Sequence, residues 1–281
     1  MITKTPFQAL ISRSFVAKQS ERLDQAIASA LPQISRRAAR RFIESCSVLV
    51  NHHPVRVASR RLQPGEHVAI VTHPIDIPVI KATPAWIAVN KPHELATQPT
   101  RERERVSLIE LLRLSLKKEG ARDDLFVVHR LDVGTSGVLL FARDRATAAR
   151  LSSNFARGES TKTYLACVDG IVAAELLIDT PLNHAGDQNR STTSPTGKSA
   201  RTTVTPRKIL DDHSVVEITI DSGRTHQIRA HLASAGHPIL GDSKYAPASI
   251  HDAAPRLMLH AWKLETGLTG ELIASPPDDF L

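Results

Sequence analysis

A short stretch of the chain groups side chains that could perform nucleophilic or acid–base chemistry. It reads His129-Arg-Leu-Asp-Val-Gly-Thr-Ser-Gly137 and brings a histidine, an aspartate and a serine together. These are the residue types of a serine-hydrolase triad. However, Ser136 lacks the Gly-x-Ser-x-Gly turn, and residues this close in one loop can hardly align for a proton relay. Asp132 is the remaining candidate. The structural alternative is that Asp132 caps a turn and pairs with Arg130 as a partly buried salt bridge.

The residues after this stretch predict an element that would hold the loop in place. Val138–Ala142 is an apolar run with the length and composition of a buried strand, so a loop that feeds into it would be braced by the core. A second predicted strand, Thr161–Val168, alternates in such a way that Lys162 and Tyr164 share one face.

Three segments of the second half extend this prediction. Residues 223–236 predict a turn that enters a helix and stops at glycine, and Arg256–His260 predicts a final strand. Residues 184–201 are polar and contain glycine, so we expect a flexible loop whose basic side chains could meet a ligand. His226 and His231 do not have the spacing of a shared helical face, and no His-Glu-x-x-His pattern occurs, so we expect no metal site.

A basic helix is predicted near the N-terminus. It follows the predicted N-cap Ser35 and ends near Glu44. Its arginines crowd one side as two pairs at helical spacing: Arg36 with Arg40 and Arg37 with Arg41. Like charges at that spacing cost about 0.2–0.5 kcal/mol per pair unless an anion neutralises them. A solvated basic face is the usual alternative. With only Glu44 to offset the charge on the helix, we favour a site for the phosphate backbone of a nucleic acid.

Composition limits the partners and the location of the protein. Thirty-six basic and 29 acidic side chains give the 281-residue chain a net charge of +7 and a pI near 9.7, which suits a polyanionic partner. Cys46 and Cys167 lie far apart without metal-ligand neighbours, which argues against a disulfide framework or a zinc site. No apolar run approaches a membrane span, and the N-terminus does not have the pattern of a signal peptide. We therefore expect a cytoplasmic protein with no membrane partner.

The segment 20–72 is similar to the small RNA-binding domain first recognised in the ribosomal protein S-four. The resemblance is carried by Arg22-Leu-Asp24, the Leu-Pro-x-x-Ser run ending at Ser35, Val48-Leu-Val-Asn51 and Leu62-x-Pro-Gly-Glu66. Val48–Val50, Val55–Val57 and His67–Val71 predict its short strands. The sequence departs from that family at Cys46-Ser47 and at His52, where glycine is usual. The turn after Val50 can still form because Asn and His tolerate left-handed backbone conformations.

The stretch around Asp132 resembles the signature of the RluA-type pseudouridine synthases. Further blocks follow the same order as in that family: Asn90-Lys-Pro92, Lys162-x-Tyr164-x-Ala166-x-Val168-x-Gly170, Gly223-Arg-Thr-His-Gln-Ile-Arg229, Gly236-His-Pro-Ile-Leu-Gly-Asp242 with Tyr245, and Arg256-Leu-x-Leu-His-Ala261. Together the blocks extend over about residues 80–279. Some members of the family also carry the S-four-like domain, so the two resemblances agree.

The resemblance implies an isomerase that breaks the bond between a uracil nitrogen and the ribose in RNA, rotates the base and rejoins it through carbon. Asp132 would be the essential carboxylate, either attacking the anomeric carbon or removing the 2′-hydrogen, and no cofactor would be needed. Arg229 would pair with Asp132, and Tyr164 would stack on a uracil that has left its helix. The alternatives are a surface charge at Arg229 and a core residue at Tyr164.

The resemblance also implies roles for the neighbours of these residues. Arg130 would fill the space that the uridine vacates, His129 belongs to the same RNA-binding loop, and Lys162 would reach a phosphate. Leu257 or Leu259 would form the apolar floor beneath the base. The alternatives are a solvated lysine and ordinary core leucines.

We therefore predict an α+β protein with a mixed, mainly antiparallel catalytic sheet and a small N-terminal α/β RNA-binding domain. The predicted boundaries are 1–19 for an extension, 20–72 for the RNA-binding domain, 73–79 for a linker and 80–281 for the catalytic domain. We predict that the protein is a monomer and acts as a pseudouridine synthase, with ribosomal RNA of the large subunit as the expected substrate. The alternatives are a transfer RNA substrate and a non-catalytic RNA-binding or ribosome-assembly factor.

Overall fold

The computed structural model describes residues 11–51, 53–71, 77–100, 106–118, 124–185 and 190–280. These residues divide into two compact units, one within Met1–Pro78 and Glu94–Val127 and the other within Val79–His93 and Val128–Leu281. Most of the predicted linker, residues 73–79, lies outside the described ranges. The predicted domain boundaries stay predictions.

Helices and strands alternate irregularly along the chain. The strands are β1 (Ile11–Val16), β2 (Val48–Val50), β3 (His53–Pro54), β4 (His67–Val71), β5 (Val79–Ala82), β6 (Trp86–Lys91), β7 (Phe126–Val127), β8 (Ser136–Ala142), β9 (Ser160–Asp169), β10 (Leu176–Asp179), β11 (Leu182–Ala185), β12 (Arg190–Thr193), β13 (Arg201–Ile209), β14 (His213–Ile220), β15 (Leu259–Thr266) and β16 (Gly270–Ile273). The helices are α1 (Leu23–Ala30), α2 (Arg36–Glu44), α3 (Leu108–Lys118), α4 (Arg145–Arg157), α5 (Gln227–Ser234) and α6 (Ala248–His251). No described helix has both the length and the hydropathy needed to cross a membrane.

The first unit packs α1 and α2 on a small antiparallel sheet with the order β1-β4-β2-β3. Leu23 and Ile27 of α1 meet Ile43 of α2 in its buried core. The Ser35 hydroxyl accepts a hydrogen bond from the Ala38 amide at 3.2 Å, so the predicted N-cap is confirmed. The sheet includes β1, which the sequence analysis left in the N-terminal extension.

The turns of the first unit show how it accommodates the missing glycines. Cys46 and Asn51 adopt left-handed backbone conformations, with φ of 56° and 49°. The Asn51 side chain also accepts a hydrogen bond from the His67 amide at 2.8 Å, which helps to hold the turn. His52 lies outside the described residues. The strand predicted over Val55–Val57 is wrong: the strand is β3, which pairs His53 with Val50 immediately after the turn.

The second unit is built on a large mixed sheet with the order β10-β13-β14-β9-β15-β8-β6-β5, and β16 adds to β15. All the pairs are antiparallel except β8 with β15. Strand β8 is buried along its whole length, as its apolar sequence predicts. The prediction of a mixed, mainly antiparallel α+β fold is confirmed.

Two expectations about the second unit are wrong. The strand predicted over Arg256–His260 instead begins at Leu259 and runs to Thr266, because Met258 bonds to Leu240 and Cys167 outside the regular ladder. Part of the polar segment 184–201, which was predicted as a flexible loop, instead lies in the antiparallel pair of β11 and β12, which includes His184, Ala185 and Arg190–Thr193. The sequence pattern missed this pair because its residues are mostly polar.

The parallel pair of β8 and β15 brings the Asp132 loop next to the start of β15. Ser136 lies opposite His260, and Gly137 lies opposite Ala261. Gly137 has φ of +116°, and a Cβ atom there would lie 2.2 Å from the Ala261 carbonyl oxygen. Only glycine allows the two strands to approach this closely.

Candidate active site

Asp132 lies on a loop that leads directly into β8. The Thr135 amide donates to the Asp132 carbonyl at 3.1 Å and closes a turn, and the Asp132 carboxylate keeps 23% of its surface exposed. Leu257 lies beneath the same loop, because a side chain added at Gly134 would meet it at 3.2 Å. A loop that is closed by a hydrogen bond and leads into a buried strand therefore presents a partly accessible carboxylate.

Arg229 binds this carboxylate. The guanidinium Nη1 donates to Asp132 Oδ2 at 3.2 Å, whereas Nε and Nη2 donate to the two oxygens of Asp242 at 2.8 and 2.7 Å. Arg229 is buried in the first turn of α5, and His226 caps this helix in a left-handed conformation with φ of 52°. The helix therefore fixes the position of the arginine that meets Asp132.

Asp242 holds the arginine in this orientation. The carboxylate is 1% exposed and also accepts hydrogen bonds from the amides of Lys244 and Tyr245. Burial alone would raise the pKa of Asp242, but the bonds from Arg229 lower it below its usual value. Burial disfavours the charged form of Arg229, whereas Asp242 and Asp132 favour it. The effect of the two aspartates is larger, so the pKa of Arg229 is raised. The sequence analysis did not identify Asp242 as a site residue, although it stands in a quoted block.

A pocket opens beside Asp132. Its lining includes Arg130, Asp132, Tyr164, Ile220, Arg229 and Leu259. Burial and, secondarily, the charge of Asp132 raise the pKa of the Tyr164 phenol, so Tyr164 stays neutral at physiological pH. Leu259 supplies an apolar wall, whereas Leu257 does not line this pocket. The structure thus brings together five of the predicted residues in one concave surface.

An adjoining cleft shares Arg130 and Tyr164 with the pocket and also contains His129 and Lys162. The Lys162 ammonium lies 5.1 Å from the centre of the Phe155 ring, and burial lowers its pKa. Nε2 of His129 accepts a hydrogen bond from the Leu140 amide at 3.0 Å. Burial and the Lys162 charge lower the pKa of His129 to about 3, so a neutral histidine braces the loop on β8.

Two basic residues near Asp132, Lys91 and His226, were not identified by the sequence analysis. Lys91 is completely buried, and its ammonium donates to the carbonyls of Pro92 and Val133 at 2.9 and 3.1 Å. Burial lowers the pKa of Lys91 to about 7, although the charge of Asp132 opposes this shift. Nε2 of His226 lies 3.8 Å from Asp132, and burial lowers the pKa of His226 to about 4. Lys91 therefore ties down the residue after Asp132.

Ser136 does not form a hydrolase triad. Its hydroxyl lies 2.9 Å from Nδ1 of buried His260, whose Nε2 is 3.0 Å from the Ala274 carbonyl. Because Nε2 can only donate to that carbonyl, Nδ1 accepts from Ser136. Ser136 therefore joins strands inside the core. In the described part of the chain, no group of three or more His, Cys, Asp or Glu side chains could hold a metal ion.

The four predicted arginines of α2 lie in the first unit and are all exposed. Arg36 and Arg40 each donate through Nε to Asp24 Oδ2 at 2.9 Å. Glu44 is the only acid on α2 itself, but the buried Asp24 of α1 also offsets the charge of Arg36 and Arg40. The sequence pattern could not indicate this contact, since it joins two helices.

Comparisons with known proteins find matches to both units of the chain. The family model described as RNA pseudouridylate synthase matches residues 85–234, and the S4 domain model matches residues 21–68. An uncharacterized RNA pseudouridine synthase of Aquifex aeolicus is 33% identical over 82% of this chain and 78% of its own length. Ribosomal large subunit pseudouridine synthase D of Escherichia coli is 30% identical over 80% of this chain and 72% of its own length.

A solved structure is also similar to this chain. Human RNA pseudouridylate synthase domain containing 1 matches with a TM-score of 0.62 and 25% identity, over 72% of this chain and 84% of that protein. Both resemblances that were noted in the sequence are confirmed. The chain belongs to the RNA pseudouridylate synthase family and carries an S4 domain near its N-terminus.

Proposed function

We propose that this pseudouridine synthase modifies large-subunit ribosomal RNA, with Asp132 as its essential carboxylate and without a cofactor. The observation that carries the proposal is the arrangement around Asp132. This partly exposed carboxylate meets a buried arginine that a second aspartate holds in place, at the wall of a pocket lined by Tyr164 and Leu259. Arg229 thus holds the carboxylate at the pocket wall, where a bound nucleotide would exclude water.

The reaction is an isomerisation, so atoms and electrons balance without an external reagent. The bond from the ribose anomeric carbon to a uracil nitrogen breaks, and a bond from that carbon to a uracil carbon forms. The uracil carbon loses its hydrogen, and the released nitrogen gains one. Asp132 either attacks the anomeric carbon or removes the 2′-hydrogen of the ribose. Both routes require the ionised carboxylate, which the hydrogen bond from Arg229 stabilises.

The other pocket residues would hold the nucleotide. Removal of a uridine from its stack costs a few kcal/mol, which contacts elsewhere must offset. In the proposed complex Arg130 fills the vacated space and Tyr164 stacks on the base as a neutral phenol. Leu259 lies beneath the base, and Leu257 supports the loop from below. Lys162 binds a neighbouring phosphate across the adjoining cleft, which His129 helps to shape.

The substrate assignment rests on the S4 domain and on the relatives. Several of these are named as ribosomal large subunit pseudouridine synthase D. A separate module that binds RNA backbone suits a large structured RNA, and the exposed arginines Arg36, Arg37, Arg40 and Arg41 would supply the contacts. In this proposal the chain acts as a cytoplasmic monomer, with the RNA-binding domain over 20–72 and the catalytic domain over 80–281.

Asp132→Asn tests the proposal. The variant should lose at least about 10³-fold in the rate of pseudouridine formation, because asparagine can neither attack nor accept the proton, while RNA affinity stays nearly unchanged. Asp211→Asn, at an exposed position of the second unit, is the matched control and should keep full activity.

The measurement is a map of pseudouridine in total RNA from cells with the parent protein, the Asp132→Asn variant or neither. Loss of a site in large-subunit ribosomal RNA supports the whole proposal. Loss of a site in transfer RNA overturns the substrate assignment alone. An unchanged map would indicate an RNA-binding or assembly factor.

A further inference from the structure

A completely buried carboxylate organises the arginines of the first unit. Asp24 Oδ2 accepts hydrogen bonds from Nε of Arg36 and of Arg40, both at 2.9 Å. Nε of Arg22 donates to Asp24 Oδ1 at 3.0 Å, and Nη2 of Arg22 lies 3.4 Å from Oδ2. Burial would raise the pKa of Asp24, but the bonds from the three arginines outweigh it and hold the pKa far below its usual value.

The position of Asp24 is fixed by the backbone around it. It lies in the first turn of α1, where a negative charge is favourable, and its amide donates to the Ala58 carbonyl at 3.2 Å. Arg36 and Arg40 stand on consecutive turns of α2, whose start is set by the Ser35 cap. Two packed helices, of which α2 is capped by Ser35, thus hold Asp24 together with Arg36 and Arg40 in one geometry.

The cluster has more positive than negative charge. Three guanidinium groups share one carboxylate, and their side chains remain 36%, 45% and 48% exposed. Arg36 and Arg40 contact Asp24 through Nε, so their terminal nitrogens remain able to donate to a second acceptor. A phosphodiester offers the acceptor geometry that guanidinium groups bind best, and it would neutralise the excess charge. Arg37 and Arg41 have no contact with Asp24 among the interactions of the described residues.

We propose that Arg22, Arg36 and Arg40 form one binding site for the RNA phosphate backbone and that Asp24 is the residue that positions them. The proposal rests on the proposed function, in which α2 contacts RNA. It adds Arg22 to the binding surface and separates Arg36 and Arg40 from the other two arginines of the helix. It also makes an unusual claim about sign, namely that an acidic side chain strengthens the binding of a polyanion.

Asp24→Asn tests this claim in the full-length protein. The substitution raises the net charge by one, so a purely electrostatic effect would tighten RNA binding. If Asp24 positions the arginines, the variant should instead bind a fluorescently labelled RNA hairpin at least about fivefold more weakly, because guanidinium groups that are no longer preorganised lose contacts. The salt dependence of the affinity should also become shallower by about one phosphate contact.

Glu44→Gln is the matched control, because Glu44 is an exposed acid at the end of α2. It should bind the hairpin as tightly as the parent protein or more tightly. A second background, Arg22→Ala/Arg36→Ala/Arg40→Ala, completes a mutant cycle. If Asp24 acts only through these arginines, Asp24→Asn should have no further effect on affinity in that background.

The outcomes separate this proposal from the proposed function. Equal or tighter binding by Asp24→Asn overturns the positioning role, and so does an equal loss in the background without the arginines. Parent-like binding by the triple arginine variant overturns the phosphate site. Pseudouridine formation by the parent protein tests the proposed function independently of all three results.

Thermal unfolding shows whether Asp24→Asn retains its fold. If cooperative unfolding is lost, Arg36→Lys/Arg40→Lys serves as the second variant, since it keeps the charge and Asp24 but removes the Nε donors. This variant should also bind the hairpin at least about fivefold more weakly, because one ammonium cannot replace the two edges of a guanidinium. Parent-like affinity would overturn the proposal.

Discussion

The two units of the molecule use buried ion clusters with opposite ratios of charge. In the first unit, one buried aspartate, Asp24, is shared by three arginines that reach the surface. In the second unit, one buried arginine, Arg229, is shared by Asp132 and Asp242. Asp242 receives two hydrogen bonds from Arg229, whereas Asp132 receives one longer bond and stays partly exposed. Each cluster pairs its buried charge fully and leaves a surplus of the opposite sign near solvent.

The surplus indicates what each cluster can do. An excess of guanidinium groups attracts an anion, and an excess of carboxylate provides a reactive group. Asp24 lies in the first turn of α1, and Arg229 lies in the first turn of α5, where Asp242 also binds it. The buried partner of each cluster is therefore fixed, and the outward-facing groups are preorganised. In the two proposed roles, the RNA-binding surface and the catalytic centre therefore differ in the ratio of basic to acidic groups more than in residue type.

The largest effect is expected from changes to the arginine that two aspartates share. Arg229→Ala leaves Asp242 buried without its partner, which should cost about 3–5 kcal/mol of unfolding free energy. The same change removes the only guanidinium bound to Asp132 among the described contacts, so pseudouridine formation should fall at least about 10²-fold. Urea unfolding and single-turnover assays measure the two losses.

Asp242→Asn tests whether the orientation of Arg229, in addition to its charge, matters for the reaction. It preserves the Asp132 contact but weakens the lock on Arg229, so kcat should fall about tenfold or more while KM changes little. The exposed Asp211→Asn variant again serves as the control. If kcat stayed at the parent value, Asp242 would have a structural role only. The second cluster would then not preorganise Asp132 in the way proposed for the arginines around Asp24.

A smaller effect is expected from paired arginine substitutions on α2. Arg36→Ala/Arg40→Ala and Arg37→Ala/Arg41→Ala remove the same charge, but only the first pair contacts Asp24. The first variant should bind RNA about tenfold more weakly than the second and should lower the salt slope by about one further contact. Fluorescence anisotropy at several salt concentrations measures both quantities. Equal losses would mean that charge alone matters on this helix.

The smallest effect is expected from the titration of Lys91, which should make the rate of pseudouridine formation depend on pH. Because burial lowers the pKa of Lys91 to about 7, its ammonium is present below that pH and is lost above it. The ammonium donates to the Val133 carbonyl and thereby holds the loop that carries Asp132, so the rate should fall a few-fold as the pH rises through about 7. Lys91→Arg, which stays charged, should move this fall to higher pH in a pH–rate profile.

The unfolding free energy should change with pH in the opposite direction, because Lys91 should make it rise where the rate falls. The unfolded chain keeps the lysine proton up to about pH 10.5, whereas the folded protein releases it near pH 7. Between these values the unfolded state binds more protons, so the contribution of Lys91 to the unfolding free energy rises with pH. Lys91→Met should remove both trends. A rate fall that persisted in Lys91→Met would assign it to another group.

The fold could be predicted where local pattern and tertiary structure agree. The Ser35 cap and the basic spacing of α2 reproduce the observed helix, and the apolar run of β8 is buried as expected. Strands β11 and β12 could not be predicted because their residues are mostly polar and because the two strands pair only with each other, as a separate two-stranded sheet. The resemblance to the family led to Asp132, Arg229 and Tyr164, and the structure places all three around one pocket.

The supporting residues could not be identified from the sequence. Asp24, Lys91 and Asp242 meet Arg36, Val133 and Arg229 across 12, 42 and 13 residues, so no helical or strand periodicity connects them. Each lies inside a motif that the resemblance quoted, but a motif does not show which side chain turns inward. Their roles depend on burial, and burial becomes visible only when the elements are packed.

The close approach at Gly137 sets a limit on redesign of the enzyme. The distance from the Asp132 loop to the start of β15 is fixed by main-chain atoms, since even a methyl group at 137 would overlap the Ala261 carbonyl. A protein engineer who wants to admit a bulkier nucleobase therefore gains nothing by spreading these two strands. Room has to come from smaller side chains at wall positions such as Leu259 or Ile220, which leaves Asp132 in its present position.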